Sequence, residues 1–121
     1  MKEGVSKTKS LNFAIRVVSL YRSLRENNEF VISKEVLRSG TAIGALIREA
    51  EYAESGLDFI HKMSIAQKEC NETLYWIELL KETDLIDQSA FEGLYADAVE
   101  LMKLLTAIIK KRKENLKKAP F

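Results

Sequence analysis

Asp58 and His61 are the residues whose spacing most resembles that of metal ligands, because side chains three apart share one face of a helix. Glu69 and Glu72 follow in the same stretch. Helical bundles hold two iron ions when two of their helices each supply a Glu-x-x-His motif. Because the chain has one histidine, a second such motif cannot be written. A di-metal centre within one subunit is disfavoured, and His61 is interpreted as a surface or interface residue.

Acid–base catalysis is a second chemistry that the acidic residues could support, because burial raises the pKa of a carboxyl group. The candidates are Glu49, Glu69 and Glu72. No motif marks a substrate pocket beside them, so we expect ion pairs at the edge of the core or across subunits. The basic partners considered are Arg38, Arg48 and Lys68.

Cys70 is the only cysteine, which excludes a disulfide within the chain and suits a reducing compartment. The one histidine is about two and a half helical turns away, so Cys70 is interpreted as a small buried residue and not as a nucleophile. The sequence shows no signal-peptide core and no uncharged run of the roughly 20 residues that span a bilayer. We expect a cytoplasmic protein without membrane contact, cofactor or enzymatic activity.

Positive charge is concentrated near the C-terminus, although the net charge of the chain is only +1. This pattern predicts sequence-tolerant contact with the phosphates of RNA or DNA. The side chains concerned are Lys110, Lys111, Arg112, Lys113, Lys117 and Lys118. The alternative is that solvated charges complement the dipole of the last helix. Phe121 is the only aromatic residue of this tail.

Gly40 and Gly44 lie four apart in a segment that otherwise has the pattern of a helix. A glycine inside a helix costs about 0.5–1 kcal/mol relative to alanine, so the pair needs a compensating role. Small neighbouring residues predict that another helix packs closely against this surface. Ligand binding is the weaker alternative, because "GTAIGAL" matches neither glycine-rich phosphate-binding motif.

Apolar spacing of three and four residues predicts four helices that position these side chains. Their expected bounds are Ser10–Glu26, Ser33–Ala53, Ser55 or Gly56 to Thr83, and a last helix capped by Asp87. The connections at 27–32, 54–57 and 84–87 are short, which favours antiparallel neighbours. The sequence therefore predicts one all-α domain over residues 1–121, an antiparallel up-and-down four-helix bundle with a basic helix end and tail at 110–121.

Helices three and four carry apolar residues beside their core stripes, and a monomeric bundle would leave such a flank exposed. These residues are Ile65, Trp76 and Leu79 on helix three and Tyr95, Met102 and Ile109 on helix four. The pattern predicts a contact between subunits. The alternative is that a wide stripe serves a wide core.

Residues 37–80 resemble the bacterial family of four-helix-bundle proteins encoded in intervening sequences of 23S rRNA genes. The resemblance is carried by "RSGTAIGA" leading into "REA", by "DFI" and by "AQKECNETLYWIELL". Leu46 stands where many members have Asn. The resemblance implies a bundle that assembles into a closed ring, typically a homopentamer, with no known catalytic chemistry.

Relatives in that family include the accessory protein of diversity-generating retroelements, which associates with a reverse transcriptase and binds nucleic acid through a basic surface. The resemblance therefore implies three partners: copies of the chain itself, RNA or DNA, or a nucleic-acid-handling protein such as a reverse transcriptase. Together with the basic tail it favours a non-enzymatic assembly or adaptor protein. The alternatives are a metal-dependent carboxylate enzyme and a purely structural or regulatory bundle that binds another protein.

Overall fold

A computed structural model describes residues 2–118 and consists of four α-helices, with no strand among those residues. The helices are α1 (Lys2–Glu26), α2 (Ile32–Ala50), α3 (Gly56–Glu82) and α4 (Gln88–Lys118). The predicted all-α four-helix fold is confirmed. Ala119, Pro120 and Phe121 of the basic tail lie outside the described residues.

The four helices form a bundle in which each helix packs against two others. α2 lies between α1 and α3, and α4 lies between α3 and α1. Because the connections at 27–31, 51–55 and 83–87 are short, successive helices run in opposite directions, as predicted. The N-terminus of α1 therefore lies beside the C-terminal end of α4.

The core contains the side chains that the three-and-four spacing assigned to it. On α3, every residue of the predicted seam is buried: Phe59, Met63, Ala66, Cys70, Thr73, Ile77 and Leu80. The inner residues of α4 are also buried, except that Phe91 is only partly so: Leu94, Ala98, Leu101, Leu105 and Ile108. Leu46 packs against this core, so an apolar side chain fits there.

Two of the predicted helix starts are confirmed by their capping hydrogen bonds. The Ser55 hydroxyl accepts the N–H of Asp58 at 3.0 Å, and α3 begins at the next residue. The Asp87 carboxylate accepts the N–H of Ala90 at 2.7 Å at the start of α4. Each bond satisfies a backbone donor that the first turn of a helix leaves without a partner.

The predicted start of α1 at Ser10 is wrong, because the helix begins at Lys2. Ser6 and Ser10 lie on the buried stripe with Phe13 and Val17, so the extra turns pack onto the bundle. Each buried hydroxyl donates to a backbone carbonyl three residues earlier, Ser6 to Glu3 and Ser10 to Lys7. Ser10 is therefore an interior residue of α1 and not its cap.

Ser33 was expected to cap α2, but the cap is made by Glu29. The Glu29 carboxylate accepts the N–H groups of Val31, Ile32 and Ser33 at 3.2, 3.1 and 2.6 Å. Burial alone would raise the pKa of Glu29, but these hydrogen bonds outweigh it and hold the pKa below its usual value. At its other end α2 stops at Ala50, three residues before the predicted Ala53.

Gly40 and Gly44 lie where α2 approaches α1. A Cβ atom at Gly40 would lie 2.9 Å from both methyl carbons of the buried Val17, and one at Gly44 would lie 3.3 Å from the Ser10 hydroxyl. These distances are shorter than or near the limit of van der Waals contact, so glycine allows the two backbones to approach. Among residues 2–118, no helix is long and apolar enough to cross a membrane.

Candidate functional site

The basic residues near the C-terminus lie on the last turns of α4, which continues without a break to Lys118. Five lysines of this segment are exposed to solvent: Lys110, Lys111, Lys113, Lys117 and Lys118. Because they project from a continuous helix, the backbone positions of these lysines are fixed relative to one another. The positive charges also lie at the helix C-terminus, where the macrodipole favours them.

Arg112 differs from the five lysines because its guanidinium is already engaged within the chain. Its Nε and Nη2 donate to the two carboxylate oxygens of Glu3, each at 3.1 Å, and its Cζ lies 3.7 Å from the ring centroid of Phe59. A bidentate pair and a ring contact together fix the guanidinium plane. Arg112 therefore joins α4 to α1 and α3.

Leu116 adds a second contact between the end of α4 and the body of the bundle. A Cβ atom at Gly56 would lie 2.9 Å from a methyl carbon of Leu116, so the leucine packs against the first turn of α3. Together with Arg112 this contact supports the basic segment to within a few residues of Lys118. The lysines are thus presented by an anchored helix.

The partner of Arg112 was missed from the sequence because Glu3 lies 109 residues away and was placed before the first helix. The spacing of Ser6, Ser10, Phe13 and Val17 was the available signal, since it continues the buried stripe toward the N-terminus. Serine is a common capping residue, and that preference favoured a helix start at Ser10. The competing interpretation was that Ser6 and Ser10 are buried on the apolar stripe of a longer helix.

The residues predicted to form a subunit contact differ in how far their side chains are buried within the single chain. Trp76, Tyr95 and Met102 pack against the core of their own chain, and Ile109 is part of it. The Trp76 indole N–H also donates to the Glu72 carboxylate at 2.9 Å. Ile65 and Leu79 are only partly buried. Of the predicted contact residues on α3, these two are therefore the ones for which no packing against the core is observed.

The acidic side chains considered for catalysis are held in ion pairs. Arg38 of α2 contacts Glu35, Glu69 and Glu72, which ties α2 to α3. The expected pairing of Glu69 and Glu72 with Arg38 is therefore present. Glu49 contacts Lys62 at 3.4 Å, a partner that the sequence pattern did not suggest.

Asp58 and His61 lie in the first two turns of α3. The Asp58 carboxylate accepts the N–H of Glu54 at 3.1 Å, which orders the connection before α3. His61 is exposed. Within residues 2–118, no group of three or more His, Cys, Asp or Glu side chains is placed to hold a metal ion.

Cys70 is fully buried, and its thiol donates to the carbonyl of Ala98 at 3.2 Å. Burial raises the pKa of Cys70 to about 12. Beside it in the core, the Thr73 hydroxyl lies 2.9 Å from the Ser39 hydroxyl and 2.8 Å from the Glu69 carbonyl. These polar groups satisfy one another inside the bundle, as buried polar groups must.

A broad surface depression lies at the end of the bundle that contains the connection between α2 and α3. Its walls include Lys7, Glu51, Glu49 and Lys62, and these charges pair with each other as Lys7–Glu51 and Lys62–Glu49. Tyr52 at its edge is 87% exposed. Arg48, Glu54 and Asp58 also line the depression, so it is an open polar surface that carries charges of both signs.

Comparison with known proteins shows a match over most of the chain. The family model described as 23S rRNA-intervening sequence protein matches residues 4–107. A similar solved structure is the crystal structure of a protein of unknown function from the S23 ribosomal protein family of Bacteroides thetaiotaomicron. It is 56% identical in sequence, has a TM-score of 0.89, and covers 91% of this chain and 99% of that chain. No curated protein matches the sequence.

Proposed function

Because the chain belongs to the family of 23S rRNA-intervening sequence proteins, we propose that it is a non-enzymatic bundle that assembles with copies of itself and binds nucleic acid. It acts as an assembly or adaptor protein in the cytoplasm. The family match ends at residue 107, before the first lysine of the basic segment. The proposal for nucleic acid therefore rests on the structure of this chain.

The observation that carries the nucleic-acid proposal is the set of five exposed lysines on the anchored end of α4. Lysines fixed on a helix can neutralise several phosphates at once, and the released counterions drive binding without a preference for sequence. Arg112 has a different role in this proposal. Since Glu3 and Phe59 hold its guanidinium, it supports the lysines and does not count as a phosphate contact.

Binding to single-stranded RNA should become weaker as salt rises, with a slope of about −0.7 in log affinity against log salt for each phosphate contacted. Replacing Lys110, Lys111, Lys113, Lys117 and Lys118 by alanine should flatten the slope and weaken binding together. Fluorescence anisotropy titrations with a labelled RNA strand at several salt concentrations measure both quantities. Arg112 is retained so that the end of α4 keeps its anchor.

A matched control removes the same number of positive charges from ion-paired or distant positions. Alanine at Lys7, Lys9, Arg22, Lys34 and Lys62 meets that requirement. We expect this control to keep most of the wild-type slope. If the wild type does not bind at low salt, or the tail variant binds as the wild type does, the partner of the bundle is a protein and the structural or regulatory alternative takes its place.

Assembly is the second part of the proposal, and the α3 flank, defined as Ile65, Trp76 and Leu79, is its expected contact. Ile65 and Leu79 are apolar side chains left partly exposed by the single chain. The resemblance to this family leads us to expect five subunits in a closed ring. A ring would repeat the lysine segment once in each subunit and so raise the affinity for a long nucleic acid.

Leu79→Glu should convert the oligomer into smaller species, because a charge buried at the centre of an apolar contact is left without a partner. Light scattering at micromolar protein measures the mass of the particle. The matched control is Tyr52→Glu, which places the same charge at an exposed residue on a different part of the bundle. A monomeric wild type at this concentration would contradict the assembly proposal.

A further inference from the structure

Ion pairs between the helices are unevenly distributed around the bundle. They join α1 to α4, α2 to α3, and α1 to the residue that follows α2, but within residues 2–118 none joins α3 to α4. At that junction the Gln67 amide instead donates to the Thr106 hydroxyl at 2.9 Å. The surface formed by α3 and α4 therefore differs electrostatically from the other sides.

On α4, the residues spaced three and four from Thr106 share its side of the helix. They are Lys103, Lys110, Lys113 and Lys117, all exposed, and none forms an ion pair with a described residue. This row of lysines extends over about 21 Å of helix. Glu114 is the only carboxylate in the same stretch of α4. The row begins inside the region matched by the family and continues into the basic segment.

On α3, the neighbouring row is polar and carries one further positive charge. Ser64, Lys68, Asn71 and Tyr75 are spaced four, three and four residues apart beside Gln67. The carboxylates of this part of α3 belong to Glu69 and Glu72, which face α2 and contact Arg38. Lys68 forms no ion pair with a described residue, so its charge adds to that of the α4 row.

Tyr75 ends the row on α3 with an aromatic ring that is 57% exposed. The Tyr75 and Trp76 rings form a T-shaped pair with 5.0 Å between their centroids, and this contact helps to hold the Tyr75 ring in place. An exposed, supported ring next to a row of lysines is the arrangement on which an unpaired base can stack. Beyond Tyr75, the next carboxylate on α3 is Glu78. On α4, Glu100 and Asp97 pair with side chains of α1 and not with this row.

We propose that the α3–α4 face binds a single strand of nucleic acid along its length. This face is defined by Lys68 and Tyr75 on α3 and by the row of lysines on α4, which are Lys103, Lys110, Lys113 and Lys117. The inference rests on the proposed function and extends its site from the end of α4 onto the side of the bundle. Lys68 and Lys103 contact phosphates, and Tyr75 stacks on a base. A single strand fits this face better than a duplex because a duplex keeps its bases out of reach of the ring.

Salt-dependent titrations of the full chain with a labelled oligouridylate strand test the face. Lys68→Ala combined with Lys103→Ala should flatten the slope by about 1.4, which corresponds to two phosphates of a single strand. Tyr75→Ala should weaken binding by about fivefold or more at every salt concentration without changing the slope, whereas Tyr75→Phe should bind as the wild type does. Unfolding by circular dichroism confirms that each variant is folded.

The control is Lys9→Ala combined with Lys62→Ala, which removes two positive charges that are ion-paired on other sides. We expect it to keep the wild-type slope. If the control flattens the salt slope as much as the Lys68 and Lys103 variant does, the loss of net charge explains the effect. The α3–α4 face is then not the binding site. If an unlabelled duplex competes as well as a single strand and Tyr75→Ala has no effect, the single-strand assignment is wrong.

Two outcomes separate this inference from the proposed function. If the variants of Lys68, Lys103 and Tyr75 bind normally while the five-lysine variant of the basic segment does not, nucleic acid contacts only the end of α4. The α3–α4 face is then overturned and the proposed function stands. If the wild-type chain does not bind the strand even at low salt, both are overturned.

Discussion

Cys70 should react with an alkylating reagent at neutral pH about a thousandfold more slowly in the folded chain than in the unfolded chain. Only the thiolate reacts, and burial raises the pKa of Cys70 from 9.0 to about 12, so the reactive fraction falls by about that factor. The thiol is also fully buried. Mass spectrometry after timed exposure to iodoacetamide, with and without urea, measures the ratio.

The same pKa difference makes the stability of the fold depend on pH in the alkaline range. Between pH 9 and about 12 the unfolded thiol loses its proton while the folded thiol keeps it, so the unfolded state binds fewer protons. The free energy of unfolding should therefore fall as pH rises, by about 1.4 kcal/mol per pH unit from this group. Well below pH 9 both states keep the proton, and the thiol contributes no slope.

Cys70→Ala is the control for that pH dependence, because it removes the thiol and leaves the other groups that titrate above pH 9. The difference in free energy of unfolding between wild type and variant should shrink by about 2 kcal/mol from pH 8.5 to pH 10.5. Urea denaturation at both pH values measures it. Rapid alkylation of a chain that is still folded, or equal pH slopes in both proteins, would show that Cys70 is accessible.

Gly40→Ala should lower the free energy of unfolding by about 1–2 kcal/mol, although alanine is the better helix former. The new methyl carbon would lie 2.9 Å from both methyl carbons of Val17, a branched and fully buried side chain that has little room to move. Gly4→Ala is the matched control, because a Cβ there has nothing within 4 Å. It should stabilise the chain by up to about 1 kcal/mol.

Val17→Ala isolates the contact between the two helices. Alone it should cost about 2 kcal/mol through the cavity it leaves, and in the Gly40→Ala background it should cost less because the added methyl group occupies part of that space. Urea denaturation of the four proteins at one subunit concentration gives the coupling energy, since assembly would make stability depend on concentration. Additive effects would mean that α1 and α2 do not meet at Gly40.

Local patterns in the sequence determined the number of helices, their antiparallel order and most of the core. The buried seam of α3 follows directly from spacings of three and four residues, since these place side chains on one face whatever lies opposite. Ser55 and Asp87 were identifiable as caps because each bonds to a backbone N–H three residues ahead. Such interactions depend only on neighbours in the chain.

Contacts between distant residues were decided by the tertiary structure. Glu3 and Arg112 meet because α1 and α4 run antiparallel in a particular register, and no spacing in the sequence encodes that register for polar side chains. The long α1 depends on the bundle in the same way, since Ser10 can cap a helix or be buried in one, and packing against α2 selects burial. The lysines of the α3–α4 face can be recognised as lacking an ion-pair partner among residues 2–118 only when the ion pairs on the other sides of the bundle are known.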